Sequence, residues 1–407
     1  MTSAAGRAGP GVLLVDDDPF MLNIQSLMLL GMGLPRVLTA DCGSDALRLL
    51  QTVPEQIDLI VCDLNMPGMD GIEFLQAANA NRPQVSVILL SGEGTRIMHT
   101  VQKLLGKGGL TILGALEKPT TQAALKAVLD RWQAPRGPTP KRDLAVFGDD
   151  DVKEAARRQQ WLLHYQPKVD LRSGALAGVE ALVRWQHPVH GLVYPDRFIG
   201  VAEECGAIDE LTDWVCRHAV QQLTQWRALG MRVPVSVNVS MENLRAPNFA
   251  RRLGEMVRAA GVAPQMLTLE ITESRLMSPA PAPLESLVRL RLQRFGLSID
   301  DFGTGHSSLA QLRDVPFTEL KVDRGFVDGA HANPITKPML EGSIGIAKRL
   351  GMQSVGEGVE SEDDWRLLSE IGCDLAQGYF IARPMAADAL PAWLGQWEQR
   401  RARLVAP

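Results

Sequence analysis

The sequence predicts two α/β domains in series: a doubly wound domain with a parallel sheet, followed by a (β/α)8 barrel of the TIM-barrel type. Along most of the 407 residues, short apolar runs alternate with amphipathic helical patterns. This alternation is typical of parallel sheets that are covered by helices on both faces. A proline-rich segment divides the alternation into two blocks. Since a domain usually has about 100–200 residues, the length also fits two domains.

The first block, residues 10–132, alternates strands and helices in a regular way. Its predicted strands cover residues 12–15, 36–39, 59–62 and 85–90, and a further strand ends at Glu117. Its predicted helices cover residues 20–30, 44–52, 72–80 and 122–132. Because the strands are apolar without interruption, both faces of the sheet should be buried, which predicts the doubly wound arrangement.

Residues 133–158 are predicted to be a linker that ends in a connecting helix. Residues 133–143 contain three prolines and one glycine, and proline is excluded from helix interiors. An acidic run at 149–151 and a helical pattern follow. We therefore expect an irregular segment and then a short helix before the second domain.

The second block, residues 159–400, contains eight predicted strands with helical patterns between most of them. The strands are predicted near residues 163–169, 176–183, 235–239, 267–271, 297–299, 319–322, 353–356 and 376–381. Eight units in a segment of this size are typical of a (β/α)8 barrel.

The composition favours a cytoplasmic globular protein. Hydrophobic residues make up 45% of the chain and charged residues 22%, which suffices for ordinary cores. The formal net charge of −5 gives no long-range attraction to DNA, and no basic patch or helix-turn-helix pattern predicts DNA binding. The five cysteines form no CxxC pair, which argues against a disulfide framework or a structural zinc site. No segment is apolar enough for membrane insertion, and no signal peptide is evident.

Acidic residues lie at the ends of two predicted strands in the first domain. Asp16 and Asp17 follow the first strand, and Asp63 ends the third. The carboxyl ends of parallel strands meet at one edge of the sheet, so these carboxylates should be close together and favour Mg²⁺. Ser91 and Lys118 follow two later strands and add a hydroxyl and an ammonium group at the same edge.

Together these residues resemble the response-regulator receiver family over residues 10–132, which implies a flavodoxin-like fold. By this resemblance Asp63 is phosphorylated by a cognate sensor histidine kinase. The resemblance implies one Mg²⁺ ion held by Asp16, Asp17 and the backbone carbonyl of Asn65. It also implies that Ser91 and Lys118 contact the phosphoryl oxygens. The sequence departs from the family at Ala115, where an aromatic switch residue is usual.

Acids and amides also lie at the ends of the strands in the second domain, where barrel enzymes carry their catalytic residues. So many carboxylates at one barrel mouth would repel each other without cations, and oxygen ligands favour Mg²⁺ or Mn²⁺. A pair of such ions is a standard device for attacking a phosphodiester. The predicted ring consists of Glu180, Asn238, Glu270, Glu273, Asp300, Asp301, Lys321, Asp323, Glu357 and Glu360.

The motifs in this ring resemble the EAL-domain phosphodiesterases over residues 159–384, in order along the chain. This family hydrolyses cyclic di-GMP (c-di-GMP) to the linear dinucleotide pGpG with two Mg²⁺ or Mn²⁺ ions. No GGDEF-like or GGEEF-like stretch is present, so the chain does not resemble a cyclase. The motifs are EALVRW at 180–185, NVS at 238–240, EITES at 270–274, DDFGTG at 300–305, LKVD at 320–323, EGVE at 357–360 and QGYF at 377–380.

The resemblance also implies a role for each residue of the ring. The implied metal ligands are Glu180, Asn238, Glu270, Asp300 and Asp301. Glu357 would deprotonate or orient the attacking water, Lys321 would stabilise charge, and Glu273 would steady the loop that begins at Asp301. The implied substrate contacts are Gln166, Arg184, Asp323, Glu360 and Gln377, although Asp323, Glu360 and Gln377 fit a structural role equally well.

Two other functions are compatible with these motifs. In the first, the barrel binds c-di-GMP without hydrolysis and signals through its conformation. In the second, the receiver docks onto a partner or accepts phosphoryl groups, and the barrel is a scaffold. The complete set of ligands favours a phosphodiesterase over both. The family resemblance further implies a homo-oligomer, either a dimer or a tetramer.

Overall fold

The computed structural model describes residues 10–53, 57–81, 85–92, 101, 105, 110–130, 132, 147–272, 281–303 and 309–404. The chain divides into two compact units, Met1–Leu144 and Ala145–Pro407. Each unit has its own hydrophobic core. The predicted order of a doubly wound domain followed by a barrel is confirmed.

The first unit contains a five-stranded sheet in the order β2-β1-β3-β4-β5, and all its pairings are parallel. The strands are β1 (Gly11–Val15), β2 (Arg36–Ala40), β3 (Leu59–Asp63), β4 (Ser86–Ser91) and β5 (Thr111–Glu117). The helices are α1 (Pro19–Gly31), α2 (Gly43–Thr52), α3 (Gly71–Asn81) and α4 (Gln122–Leu129).

Alternate residues of the central strands enter two different cores, so both faces of this sheet are covered. On β1, Leu13 and Val15 belong to one buried cluster, whereas Val12 and Leu14 belong to another. This is the physical reason for the unbroken apolar strands in the sequence. Helix α1 begins directly after β1 because Asp18 caps it, with Asp18 Oδ1 accepting a hydrogen bond from the Phe20 N–H at 2.8 Å.

The second unit is a barrel of eight strands, with β8 added as a short ninth strand beside β7. The sheet closes through the pairing of β6 with β7. The strands are β6 (Trp161–Asp170), β7 (Leu176–His187), β8 (Gly191–Val193), β9 (Val235–Asn238), β10 (Leu267–Thr272), β11 (Gly296–Phe302), β12 (Glu319–Val322), β13 (Gln353–Gly356) and β14 (Leu375–Gln377).

Helices lie between most of the barrel strands and supply their outer cover. Their bounds are α5 (Asp149–Arg157), α6 (Ile199–Glu204), α7 (Ile208–Ala228), α8 (Met241–Arg245), α9 (Phe249–Ala259), α10 (Pro281–Leu292), α11 (Leu309–Asp314), α12 (Arg324–Val327), α13 (Thr336–Arg349), α14 (Glu362–Glu370) and α15 (Leu390–Leu404). One-turn 3₁₀ helices occur at Pro195–Arg197, Pro264–Met266, Ala330–Ala332 and Ala387–Ala389.

The barrel departs from the predicted (β/α)8 pattern at its first strand. Strand β6 is antiparallel to both of its neighbours, β7 and β14. The predicted strands at 163–169 and 176–183 are separated by only a few residues, whereas a parallel connection needs a dozen or more. The pair therefore forms a hairpin, so the barrel has its eight strands but no helix separates the first two.

The helix predicted after the linker is α5, and it packs on the barrel unit. Val152 and Ala155 of α5 are buried in the barrel core together with Phe147. The Phe147 ring lies 4.5 Å from the Trp185 ring, measured between centroids. This part of the chain is therefore fixed to strand β7, which carries Glu180 and Arg184.

Neither a membrane-crossing helix nor a disulfide occurs in the part of the chain that the structure describes. Helix α7 has 21 residues, but neither it nor any other described helix is apolar enough to cross a bilayer. All five cysteines are free thiols.

Candidate functional sites

The predicted acidic ring is assembled at one end of the barrel. Glu180 lies on β7, Glu270 on β10 and Asp300 on β11, while Asn238 ends β9 and Glu357 directly follows β13. Glu180, Glu270 and Asp300 are each less than a tenth exposed. Burial of so many carboxylates in a small volume is costly unless positive charge compensates them.

Lys321 on β12 lies at the centre of this ring and is 1% exposed. Its ammonium group forms ion pairs with four carboxylates. The Nζ distances are 2.7 Å to Glu357, 2.8 Å to Glu270, 2.9 Å to Asp300 and 3.5 Å to Glu180. One unit of positive charge thus faces four units of negative charge, so the ring as it stands is under-neutralised.

The pKa values of the ring reflect this imbalance. Burial raises the pKa of Glu180 to about 7, and the charge of Glu270 adds to the effect. Burial also raises the pKa of Glu357 well above its usual range, even though Lys321 opposes this shift. Glu270 differs: burial would raise its pKa, but the ammonium groups of Lys321 and Lys168 lower it to about 2.

The donor set of this ring fits divalent cations. Oxygen atoms of Asp300, Asp301 and Glu357 lie within 4.8 Å of one another, and a single ion can be held at that spacing. Nearby, the Asn238 Nδ2 donates a hydrogen bond to Glu180 Oε1 at 2.8 Å. The amide oxygen of Asn238 can therefore serve as a further metal ligand. Carboxylate and amide oxygens with excess negative charge favour Mg²⁺ or Mn²⁺.

A β-bulge allows two consecutive aspartates to serve one site. Successive side chains of a regular strand point to opposite faces. The pairing of β11 with β12 shifts between Ile299 and Phe302, and Asp301 has a left-handed backbone with φ +56°. Bulges re-aim side chains next to active sites, and here the bulge brings the carboxylates of Asp300 and Asp301 together.

A cavity of about 600 Å³ opens from the ring, in the size range of small-molecule sites. Its lining combines Glu180, Asn238, Glu270, Asp300 and Asp301 with apolar side chains such as Leu182, Ile208, Leu211 and Val215. A cavity that combines charged and apolar side chains suits a ligand that has both phosphate groups and flat ring systems.

Two buried amides flank Glu180. The Gln377 Nε2 donates to Glu180 Oε2 at 2.7 Å and to Gln166 Oε1 at 3.2 Å. Gln166 in turn donates to the Ala382 carbonyl at 3.1 Å. Gln166 is brought beside the ring because β6 runs antiparallel and pairs it with Glu180.

A second acidic site lies at the carboxyl edge of the first sheet. Asp16 and Asp63 are buried, and Lys118 Nζ lies 2.6 Å from Asp16 Oδ2 and 2.7 Å from Asp63 Oδ2. Burial raises the pKa of Asp16, and Lys118 opposes that rise. Burial lowers the pKa of Lys118, but the bonds to the two aspartates outweigh it and raise the pKa overall.

The other predicted residues of this second site lie around Asp63. Carboxylate oxygens of Asp16, exposed Asp17 and Asp63 lie within 4.8 Å of one another, which suits one Mg²⁺ ion. The Asn65 N–H donates to Asp63 Oδ1 at 3.2 Å, so the loop after β3 folds back over the aspartate. Ser91, at the end of β4, is 1% exposed.

Models of two protein families match this chain. The response regulator receiver domain matches residues 12–130, and the EAL domain matches residues 149–384. The chain belongs to the EAL domain family. Its N-terminal part is a response regulator receiver domain, as the ordered motifs around Asp63 indicate. The EAL match includes helix α5, in keeping with the packing of that helix on the barrel.

Known proteins match all or part of this chain. The chain is 34% identical to the cyclic di-GMP phosphodiesterase RocR of Pseudomonas aeruginosa, over 92% of this chain and 96% of RocR. It is 40% identical to the cyclic di-GMP phosphodiesterase PA2567 of the same organism, over 57% of this chain and 40% of that protein. The structure of the PaMucR phosphodiesterase in complex with c-di-GMP matches 59% of this chain and 98% of that chain, with a TM-score of 0.57 and 37% identity.

Three other predicted residues of the EAL domain have contacts of their own. Asp323 Oδ1 accepts a hydrogen bond from the Gly325 N–H and caps α12. Glu360 is exposed and forms an ion pair with Arg324 at 2.8 Å. Arg184 is 6% exposed, with its guanidinium 5.0 Å from the centre of the Tyr194 ring. Its Nε has no hydrogen-bond partner among the described residues. Glu273, the remaining predicted residue, lies outside the described residues.

The sequence reasoning missed two buried charged residues of the EAL domain, Lys168 and Glu319. They lie inside the barrel beside Glu270, with Lys168 Nζ 3.3 Å from Glu270 Oε1 and 3.0 Å from Glu319 Oε1. One signal was available: a lysine within an otherwise mostly apolar strand must find a buried acidic partner. The partner itself could not be inferred, since it lies 151 positions away.

Proposed function

We propose that this chain is a phosphodiesterase that hydrolyses c-di-GMP to linear pGpG. The observation that carries the proposal is the complete ring of carboxylates around a single ammonium group, opening into a ligand-sized cavity. Similarity to RocR over nearly the full length of both proteins supports the substrate. Similarity to a phosphodiesterase solved with c-di-GMP supports it further.

In this proposal, Glu180, Asn238, Glu270, Asp300 and Asp301 hold two Mg²⁺ or Mn²⁺ ions. When bound, such ions lower the pKa of water and stabilise the attacking and leaving oxygens of a phosphodiester. Glu357 accepts the proton of the attacking water, a role that suits a partly buried carboxylate with a raised pKa. Lys321 donates hydrogen bonds toward the negative charge that develops on the phosphate.

The substrate-side contacts belong to the same proposal. The unpaired Nε of Arg184 is available to a phosphate oxygen, as is usual for guanidinium groups. Gln377 holds Glu180 and has an amide oxygen without a hydrogen-bond partner among the described residues. Gln166 supports Gln377 from the next strand. We assign Asp323 and Glu360 to the substrate border of the ring, and Glu273 to the loop after Asp301.

The main competing function is a c-di-GMP receptor without catalysis. That function requires the cavity but not the full ring of ligands. The ring is the reason to prefer hydrolysis, since each added carboxylate is costly to bury without metal ions.

A Glu180→Ala variant tests the metal site. We expect hydrolysis of c-di-GMP to fall to background, because both oxygens of Glu180 are engaged at the ring by Asn238 and Gln377. Glu204→Ala is the matched control, since Glu204 is exposed on a nearby helix. Chromatography of the product measures both variants. Unchanged turnover in Glu180→Ala would refute the assigned metal site.

We further propose that a sensor histidine kinase phosphorylates Asp63 and so regulates hydrolysis. One Mg²⁺ ion would be held by Asp16, Asp17 and the carbonyl of Asn65. Lys118 already contacts Asp63 and would follow the added phosphoryl group, while Ser91 would donate to it. The transfer needs little more than positioning and charge neutralisation, and these residues supply both. We also infer a homo-oligomer, a dimer or a tetramer, on family grounds.

Asp63→Asn should abolish any change in the hydrolysis rate that a small-molecule phosphodonor causes. The amide keeps the shape of the side chain but cannot accept a phosphoryl group. The basal rate should persist, because the acidic ring lies in the other unit. Rates with and without phosphodonor, for wild type and variant, measure the effect. An equal response in both proteins would show that Asp63 is not the regulatory phosphoacceptor.

A further inference from the structure

A second buried lysine lies beneath the acidic ring. Lys168 on β6 is 4% exposed and makes three kinds of contact. Its Nζ donates to Ser236 Oγ at 2.7 Å, to both oxygens of Glu319 at 3.0 and 3.2 Å, and to Glu270 Oε1 at 3.3 Å. The proposed chemistry assigns no role to Lys168, Glu319 or Ser236.

Glu270 is held from both sides by these contacts. Its Oε1 faces Lys168 and its Oε2 faces Lys321 at 2.8 Å. The carboxylate plane is thereby fixed by two ammonium groups on two strands that are not neighbours in the barrel, β6 and β12. Among the carboxylates of the described ring, Glu270 is the one with an ion pair to each of two lysines.

Simple neutralisation of Lys168 does not require the contact to Glu270. The Lys168–Glu319 pair is already balanced in charge, and Ser236 supplies a further hydrogen bond. A buried ion pair of this kind gives little net stability compared with apolar side chains of similar size. Its placement directly against a metal-ligand candidate therefore needs another reason.

We propose that Lys168 is a positioning residue that, together with Glu319 and Ser236, holds Glu270 in the orientation required to bind a divalent cation. The inference rests on the proposed function, because it deepens the role of the same acidic ring. Lys168 contacts neither substrate nor reacting atoms; it acts through Glu270. Partners that orient metal ligands from behind usually contribute about 10- to 100-fold to metal affinity or activity.

Three variants separate positioning from mere structural support. Lys168→Met with Glu319→Gln removes both charges of the buried pair, so the net charge of the barrel interior is unchanged while the contact to Glu270 is lost. Glu319→Gln alone leaves Lys168 in place against Glu270. Ser236→Ala removes only one hydroxyl, which contacts both the Lys168 ammonium group and Glu270, and this smallest change should fold in any case. Each full-length variant is compared with wild type by thermal unfolding, Mn²⁺ titration calorimetry without substrate, and turnover of c-di-GMP.

We expect the double variant to unfold near the wild-type temperature but to bind Mn²⁺ and turn over substrate roughly 10- to 100-fold less well. Glu319→Gln should retain more Mn²⁺ affinity than the double variant, and Ser236→Ala should show a smaller loss in the same direction. Wild-type Mn²⁺ affinity in the folded double variant would overturn the inference. If the double variant does not fold, wild-type Mn²⁺ affinity in Ser236→Ala would overturn it instead. A wild-type protein that neither binds Mn²⁺ nor hydrolyses c-di-GMP would refute the proposed function itself.

Discussion

Glu357→Gln is expected to lower kcat for c-di-GMP hydrolysis by roughly 10²- to 10⁴-fold, the usual contribution of a general base. The amide has the shape of the carboxylate but cannot accept a proton from water at neutral pH. Glu357 lies 2.7 Å from Lys321 and is grouped with Asp300 and Asp301, so the change removes a proton acceptor at the centre of the proposed chemistry.

The Glu357→Gln substitution should lower kcat more than it changes KM. In the proposed function, binding of c-di-GMP depends chiefly on the cavity and on Arg184, which the substitution leaves in place. Glu370→Gln, an exposed position on α14, is the matched control and should behave as wild type. Steady-state kinetics with a separate measurement of c-di-GMP binding resolves the two quantities. A variant that keeps its kcat would exclude Glu357 as the base.

Lys321→Met is expected to reduce the free energy of unfolding by roughly 3–5 kcal/mol in a metal chelator, as when one partner of a buried ion pair is removed. Four carboxylates lose their shared ammonium group: Glu180, Asp300 and Glu357 then have no lysine partner among the described residues, and Glu270 retains only Lys168. The exposed Lys348→Met is the matched control. Urea unfolding followed by circular dichroism measures the loss.

This loss should depend on pH and on divalent cations. Folding already raises the pKa of Glu180 and Glu357, so the native state binds protons more tightly than the unfolded chain. Stability then falls as the pH rises through the raised pKa values, and removal of Lys321 raises them further. The variant should therefore be weakest above neutral pH, and saturating Mn²⁺ should restore part of its stability. Equal stability of variant and wild type in chelator would contradict the charge imbalance described for the ring.

The strand-end acids were predictable because the geometry of parallel sheets brings the ends of strands together. Glu270, Asp300 and Lys321 needed only the alternation of strands and helices to be placed at one edge. The same argument brought Asp16 and Asp63 together in the receiver domain. These positions follow from strand order alone, whereas the roles assigned to the residues remain predictions.

The remaining features depend on contacts that a linear pattern does not contain. The bulge at Asp300 and Asp301 depends on the register between β11 and β12. The contact of Lys168 with Glu319 joins residues far apart in the sequence. The antiparallel direction of β6 was different, because the short connection to β7 was visible and excluded a parallel pair. It also explains why Gln166 meets the ring from a strand that runs the opposite way.

Metal-dependent formation of pGpG by the purified full-length chain tests the central claim most directly. The protein is incubated with c-di-GMP and either Mg²⁺ or Mn²⁺, with a parallel sample in chelator, and the products are separated by chromatography. The account predicts linear pGpG in the presence of either metal ion and none in chelator. Binding of c-di-GMP without any product in all these conditions would contradict it and would make the barrel a receptor.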